Sequence, residues 1–193
     1  MKISISTQNT KMGRIPSISL PPGKACADGT PCFEKCYAMK AYRQYPNTRE
    51  AYNRNYLMLT QHRDEYFKQL SLWILKNKPE YFRFHVSGDF VDAEHLRLTL
   101  ELCDWYHETL FLAFTKCHHM LPTITGLVPG NLQLIASRWP EWGSVPPKGY
   151  RHAWAQDGTE TRIPGTAVEC LGRCDECLEC FQPSDSDVWF ALH

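Results

Sequence analysis

The chain has no excess charge of either sign: its 21 basic residues are matched by 21 acidic ones. Without a net positive field it lacks a general means of gathering nucleic acid or an anionic membrane. It also lacks any apolar run near the ~20 residues that a membrane-spanning helix needs. The opening stretch Met1-Lys2-Ile3-Ser4-Ile5-Ser6-Thr7-Gln8 turns polar at once and has no secretory apolar region. These absences lead to the expectation of a cytoplasmic protein with no membrane partner. The Walker phosphate loop, the G-x-S-x-G elbow, the H-E-x-x-H zinc helix and the dinucleotide turn G-x-G-x-x-G are missing as well. Nucleoside-triphosphatase and hydrolase readings therefore have nothing to stand on. No repeat at fixed period and no low-complexity tract interrupts the chain.

Cysteine, by contrast, is abundant and clustered. Seven of nine cysteines fall into two groups. Cys26, Cys32 and Cys36 are spaced C-x5-C-x3-C, and Cys170, Cys174, Cys177 and Cys180 are spaced C-x3-C-x2-C-x2-C. In a reducing compartment, thiolates at such spacing suit a soft metal or an iron–sulfur cluster. The odd total also argues against a closed set of disulfides. Three cysteines in one loop leave one iron of a four-iron cluster free of protein sulfur, open to a small molecule or a fourth residue. The second group suits an iron–sulfur cluster, with zinc as the alternative. Zinc ribbons pair two C-x2-C steps across a longer gap, whereas here the two steps share Cys177.

Patterning predicts an α/β chain. Ser17 to Leu20 reads as a short strand stopped by Pro21-Pro22-Gly23, and Phe33 to Arg43 as a helix with Cys32 and Cys36 on one face. Asn47 and Glu50 resemble a capping box before a long helical stretch to Asn77, which Arg63 splits. Further strands are expected at Tyr81–Val86, Leu110–Phe114, Asn131–Ala136 and Arg151–Gln156, with Asp92 capping a helix between the first two. The nearly continuous apolar run Leu110-Phe111-Leu112-Ala113-Phe114 is that of a strand covered on both faces. Strands alternating with helices imply a parallel sheet, with ligands beyond the strands' carboxyl ends. The expected organisation is an α/β unit over 1–160 and a small cysteine-rich metal-binding segment over 161–193.

Those carboxyl ends carry the cysteine loop after Leu20, Ser87-Gly88-Asp89, Thr115-Lys116-Cys117 and Ser137-Arg138. Lys116 and Arg138 suit a carboxylate or phosphate, the arginine through its bidentate fork. Asp89 serves either as a ligand for a cation or as a turn residue bonded to backbone amides. Cys117 is a local candidate for a fourth ligand but also fits an ordinary buried thiol, as Cys103 does. His85 reads as a satisfied core or rim histidine. His118 and His119 are adjacent, so on a helix they do not face one another.

Ser19-Leu20-Pro21-Pro22-Gly23-Lys24, the stretch Cys36-Tyr37-Ala38-Met39-Lys40, Phe84-His85-Val86-Ser87-Gly88-Asp89-Phe90 and Phe114-Thr115-Lys116 together resemble the phage and prophage family called gene product eighty-eight. The resemblance runs from about Ser17 to Phe181. Its members look like shortened relatives of radical S-adenosylmethionine (SAM) enzymes. It thus implies a partial, radical-SAM-like parallel β/α barrel, four-iron clusters and SAM as a ligand. By position, Ser87, Gly88 and Asp89 would meet the amino group of SAM. The radical SAM pattern has C-x3-C-x2-C where this chain has C-x5-C-x3-C.

The leading expectation is an iron–sulfur protein, with a small molecule or redox partner at the open N-terminal cluster and Asp89, Lys116 and Arg138 orienting it. The rival from another class is a non-catalytic electron carrier or regulator with structural metal. A nucleic-acid-binding zinc protein is a third class, which the zero net charge disfavours.

Overall fold

In the computed structural model, described for residues 1–33, 35–140 and 142–192, strands and helices alternate through the first two thirds of the chain. The elements are β1 (Ile5–Ser6), β2 (Ser17–Ile18), a 3-10 turn (Pro31–Phe33), α1 (Tyr37–Gln44), α2 (Pro46–Gln61), α3 (Arg63–Asn77), β3 (Tyr81–Phe84), α4 (Ala93–Trp105) and β4 (Leu110–Thr115). A 3-10 stretch (His118–Ile124) follows, then β5 (Leu132–Arg138), β6 (His152–Gln156), β7 (Val168–Glu169), α5 (Cys174–Cys177), another 3-10 turn (Glu179–Phe181) and β8 (Val188–Ala191). All eight strands form one sheet in the order β1-β2-β3-β4-β5-β6-β8-β7. Every neighbouring pair is parallel except β1 with β2. The α/β class and the parallel sheet thus agree with the sequence. The pairing is linear, and among the described residues no strand pair closes it.

Both faces of the central strands are covered, as the apolar run at β4 implies. Phe111 and Ala113 point into a core built with α2, α3 and α4, while Leu112 points the other way. Leu132, Leu134 and Ala136 of β5 share the first core, and Ile135 the second. The period of two sorts alternate residues to opposite faces. The second face is covered by Met12 and Ile15 from the N-terminal segment and by Phe181 and Val188 from the cysteine-rich segment, with Cys174, Leu178 and Cys180 packed against them. The segment from 161 onward therefore extends the same sheet through β7 and β8 and supplies part of the layer over that face.

Local expectations fare unevenly. Asp92 caps α4, accepting from the His95 backbone N–H at 2.7 Å. The long helical stretch is split at His62, whose backbone leaves the helical region (φ −140°, ψ 52°), one residue before the expected Arg63. The Asn47/Glu50 capping box does not form: Pro46 takes the first helical position, so the helix starts with Tyr45 as its cap. The expected helix from Phe33 starts only at Tyr37, with Cys36 extended at its cap. Cys32 lies in the preceding 3-10 turn, so these two sulfurs do not share one helical face. Glu34, within that expected helix, lies outside the described residues.

Candidate functional site

Three strand ends interlock where the sequence places the N-terminal cysteine loop. The Leu20 N–H donates to the Ser87 carbonyl at 2.9 Å, and the Asp89 N–H donates to the Ala25 carbonyl. Gly88 makes the close approach practicable. Its φ is +80°, and a Cβ there would stand 2.7 Å from the Cβ of Leu20. The buried Asp89 carboxylate then reaches the next strand. Oδ1 accepts from the Phe90 N–H at 2.8 Å and the Thr115 hydroxyl at 2.7 Å, and Oδ2 accepts from the Lys116 N–H at 2.7 Å. Burial pushes the Asp89 carboxyl above its usual pKa, while the Lys116 charge and these hydrogen bonds pull it back. The residue is bonded to backbone amides as a turn residue would be, and both of its oxygens are engaged within the protein.

Cys26 lies against this rim. The Gly23 N–H reaches its Sγ at 3.2 Å. Burial raises its thiol pKa, with Asp89 and Cys32 pushing the same way and the Gly23 N–H and Lys116 opposing them. Asp89 and Lys116 are thus close enough to Cys26 for their charges to act on it, while Ser87 and Gly88 pack against Leu20 at the start of the same loop. Cys117 is an ordinary core thiol: it is buried and its S–H donates to the Phe90 carbonyl at 3.2 Å. Further along, the Lys116 ammonium stands 5.9 Å over the Trp139 ring and the Arg138 guanidinium 4.9 Å over the Trp154 ring. His118 does not converge with His119. Its Nε2 donates to the Ser137 carbonyl at 2.9 Å, which leaves Nδ1 to accept from the Ser144 hydroxyl at 2.8 Å. His118 is held at a pKa of about 4, chiefly by burial, with Arg138 and Lys116 adding to the effect.

His85 departs from expectation. It is buried, but among the described residues neither ring nitrogen has a hydrogen-bond partner. Its φ is +55°, in the left-handed region. Its ring meets the edges of Phe90 and His95, with centroids 4.8 and 5.1 Å away. Burial, helped by the Arg83 charge, lowers its pKa to about 3.

The second cysteine group sits against the opposite sheet face. Cys170 follows β7 and its N–H donates to the Trp189 carbonyl at 2.7 Å. Cys174 opens α5, where its N–H is held by the Lys11 carbonyl at 2.9 Å, and Cys177 closes that helix. Leu178 turns the chain through a left-handed residue (φ 54°) into the 3-10 turn that carries Cys180. All four cysteines line one small concave space of about 20 Å³, together with Leu112, Leu178, Phe181 and Val188. The Cys180 thiol is pushed up to about 12 by burial, with Cys170 and Cys174 adding and Arg151 and Arg83 opposing.

Those two arginines were not singled out in the sequence. Arg83 is 5% exposed, and its Nη1 lies 3.8 Å from Cys174 Sγ and 3.4 Å from Met12 Sδ. Arg151, its side chain also buried, pairs with Glu179 at 3.1 Å and donates to the Ser186 and Glu179 carbonyls. The available signal was a charged residue set between aromatic ones, Tyr81-Phe82-Arg83-Phe84, within an expected strand.

All nine cysteines are free thiols in this structure, with no disulfide between them. Among the described residues, no three Cys, His, Asp or Glu side chains are arranged to hold a single metal ion. Among them too, no helix is long and apolar enough to cross a membrane. A family model described as Gene product 88 matches residues 2–183. The chain belongs to the Gene product 88 family. The match spans both cysteine groups and every rim residue named above. No curated protein and no solved structure matches the chain.

Proposed function

We propose that this member of the Gene product 88 family is an iron–sulfur protein. Cys170, Cys174, Cys177 and Cys180 would hold one cluster, and Cys26, Cys32 and Cys36 a second with an open iron. The observation that carries the reading is the lining of one concave space by four cysteines beside two buried arginines. A lone tetrahedral zinc draws its sulfurs to within ~3.8 Å of one another at a Zn–S length near 2.3 Å. The consecutive short steps of C-x3-C-x2-C-x2-C, two of which share Cys177, resemble a ferredoxin-type run more than a zinc ribbon, and that spacing favours iron over zinc. Thiolate ligands also need a reducing compartment, the cytoplasm of a bacterial host if the protein is phage-encoded.

The radical-SAM-like partial barrel belongs to the same reading. Its support is the run of parallel strands β2 to β6, adjacent in chain order, with the cysteine loop beyond the first of them. A cluster with an open iron would supply electron transfer or Lewis acidity to a bound small molecule, SAM included. Lys116 and Arg138 would anchor an anionic part of that molecule. Ser87, Gly88 and Asp89 would shape the rim that receives it.

A second reading, a carrier or regulator with structural metal, is favoured by Asp89. Its oxygens are occupied by Phe90, Thr115 and Lys116, so the turn ties strand ends together and offers no idle carboxylate.

The test is iron, sulfide and zinc content with electron paramagnetic resonance on protein kept free of oxygen. Stoichiometric iron and sulfide, with absorbance near ~400 nm from thiolate-to-iron charge transfer, is the expected result. Zinc alone would move the C-terminal site to a structural role. A folded chain without either metal ends the reading. A spectral change on adding SAM favours the enzyme, and no change together with no SAM cleavage under reduction favours the carrier.

A further inference from the structure

Arg83 is a buried cation without an anion. It projects from β3 into the second core, and among the described residues no carboxylate pairs with it. Among those residues its Nε has no partner and its Nη1 meets only the sulfurs of Met12 and Cys174, and its guanidinium lies 4.8 Å over the Phe114 ring. A desolvated guanidinium is tolerated when a compensating charge stands nearby, and an aromatic face compensates only in part. The side facing Cys174 is the one toward the four-cysteine space.

We propose that Arg83 is the counter-charge and sulfur hydrogen-bond donor of a metal–thiolate centre of net negative charge held by Cys170, Cys174, Cys177 and Cys180. This rests on the reading of those cysteines as metal ligands and adds the sign of the centre's charge and the residue that balances it. Four thiolates outweigh a single divalent ion, and they outweigh an oxidised four-iron cluster too, so either occupant leaves negative charge in excess. Arg83 meets that excess from the buried side. Arg151, near Cys180 but already paired with Glu179, adds to the field without being committed to it. Groups just outside the ligands of a metal site hold and tune it, and losing one typically costs ~10–100-fold in metal affinity.

The experiment compares wild type with Arg83→Gln and Arg83→Lys, all isolated without oxygen. Release of iron and zinc to a colorimetric chelator is followed, and the phase missing from Cys174→Ser marks the C-terminal centre. Glutamine keeps the length and a hydrogen-bond donor but removes the charge, whereas lysine keeps the charge. Release from that centre should be ~10–100-fold faster in Arg83→Gln and close to wild type in Arg83→Lys. Metal-loaded protein in which Arg83→Gln releases at the wild-type rate, or in which both variants are equally fast, overturns the proposal while leaving the metal reading intact. Wild type without metal overturns both. Should Arg83→Gln not fold, wild type alone decides. Amide hydrogen exchange along β3 should rise when the metal is stripped, because the buried guanidinium then loses its counter-charge, and unchanged exchange there overturns the proposal.

Discussion

The Asp89 carboxylate accepts the Thr115 hydroxyl at 2.7 Å, joining the turn after β3 to the end of β4. The same carboxylate holds the Phe90 and Lys116 N–H groups. Truncation in Asp89→Ala leaves all three donors without their acceptor in a dry site. Each such donor costs ~1–3 kcal/mol if left bare, and partial relaxation brings the expected total to about 3 kcal/mol. Urea unfolding checks this. Paired with Thr115→Val, the two changes should be non-additive by more than ~0.5 kcal/mol, because they remove the same contact. Additive effects would separate the two residues energetically.

Gly88 permits that turn to press on the cysteine loop. Gly88→Ala adds a Cβ 2.7 Å from the Leu20 Cβ and 3.2 Å from the Leu20 carbonyl carbon, at a φ of +80°. Strain at one such residue costs roughly 1–3 kcal/mol, and the clash adds to it. The loop that carries Cys26 must then shift. The expected outcome is a lower unfolding midpoint together with faster proteolysis between Leu20 and Cys36. Alanine at Gly126, whose φ is +77° but whose Cβ would meet nothing within 4 Å, isolates the backbone strain from the clash. Equal losses at the two glycines would mean that the contact with Leu20 contributes nothing.

What the sequence discloses follows from how local each determinant is. β4 is legible because five consecutive apolar residues need two covered faces, and the Asp92 cap is legible because its acceptor and donor lie three residues apart. β7 and β8 are not. They are two and four residues long, and their pairing depends on β6 and on each other. The misplaced starts of α1 and α2 share a cause, since a proline stands just ahead of each expected helix. Pro46 fixes the first turn of α2 ahead of the capping box, and Pro31 opens a separate 3-10 turn before α1. At the site, cysteine spacing marks both groups. The partners of Arg83 and the missing partners of His85 are long-range facts with no local signature.

His85 gives the fold an acid limit. Its pKa falls from 6.5 in the unfolded chain to about 3 when folded, so the unfolded chain binds the proton first. Its contribution to stability is complete above pH ~6.5 and is lost as pH falls toward 3, at up to ~1.4 kcal/mol per pH unit. His95 and His118, lowered by burial as well, act with the same sign. Asp89 acts in the opposite sense, because its raised pKa makes the folded chain the better proton acceptor at that group. In His85→Phe, the aromatic contacts with Phe90 and His95 remain and one titration is removed. Urea midpoints at pH 7.5, 5.5 and 4.5 should fall for both proteins, and less steeply for the variant. Parallel pH profiles would show that His85 is not among the groups that set the limit.

Two cysteine substitutions separate ligand thiols from core thiols. Cys117 is buried, donates to the Phe90 carbonyl and has its pKa raised chiefly by burial, all of which describe a protonated packing residue. Cys117→Ala should cost about 1 kcal/mol for the lost contact and small void, with metal per chain unchanged. Cys174 lines the four-cysteine space with its sulfur facing Arg83, and it is held in place through its own backbone by Lys11. Serine fits there but is a poor ligand for a soft metal, so Cys174→Ser should lower metal per chain by the content of one centre. Its stability should fall only where the wild type carried metal, because bound metal stabilises the folded state alone. Metal analysis and urea unfolding of the three proteins, prepared side by side without oxygen, decide it. Equal metal in wild type and Cys174→Ser would remove Cys174 from the ligand set, and with it the link between Arg83 and the centre.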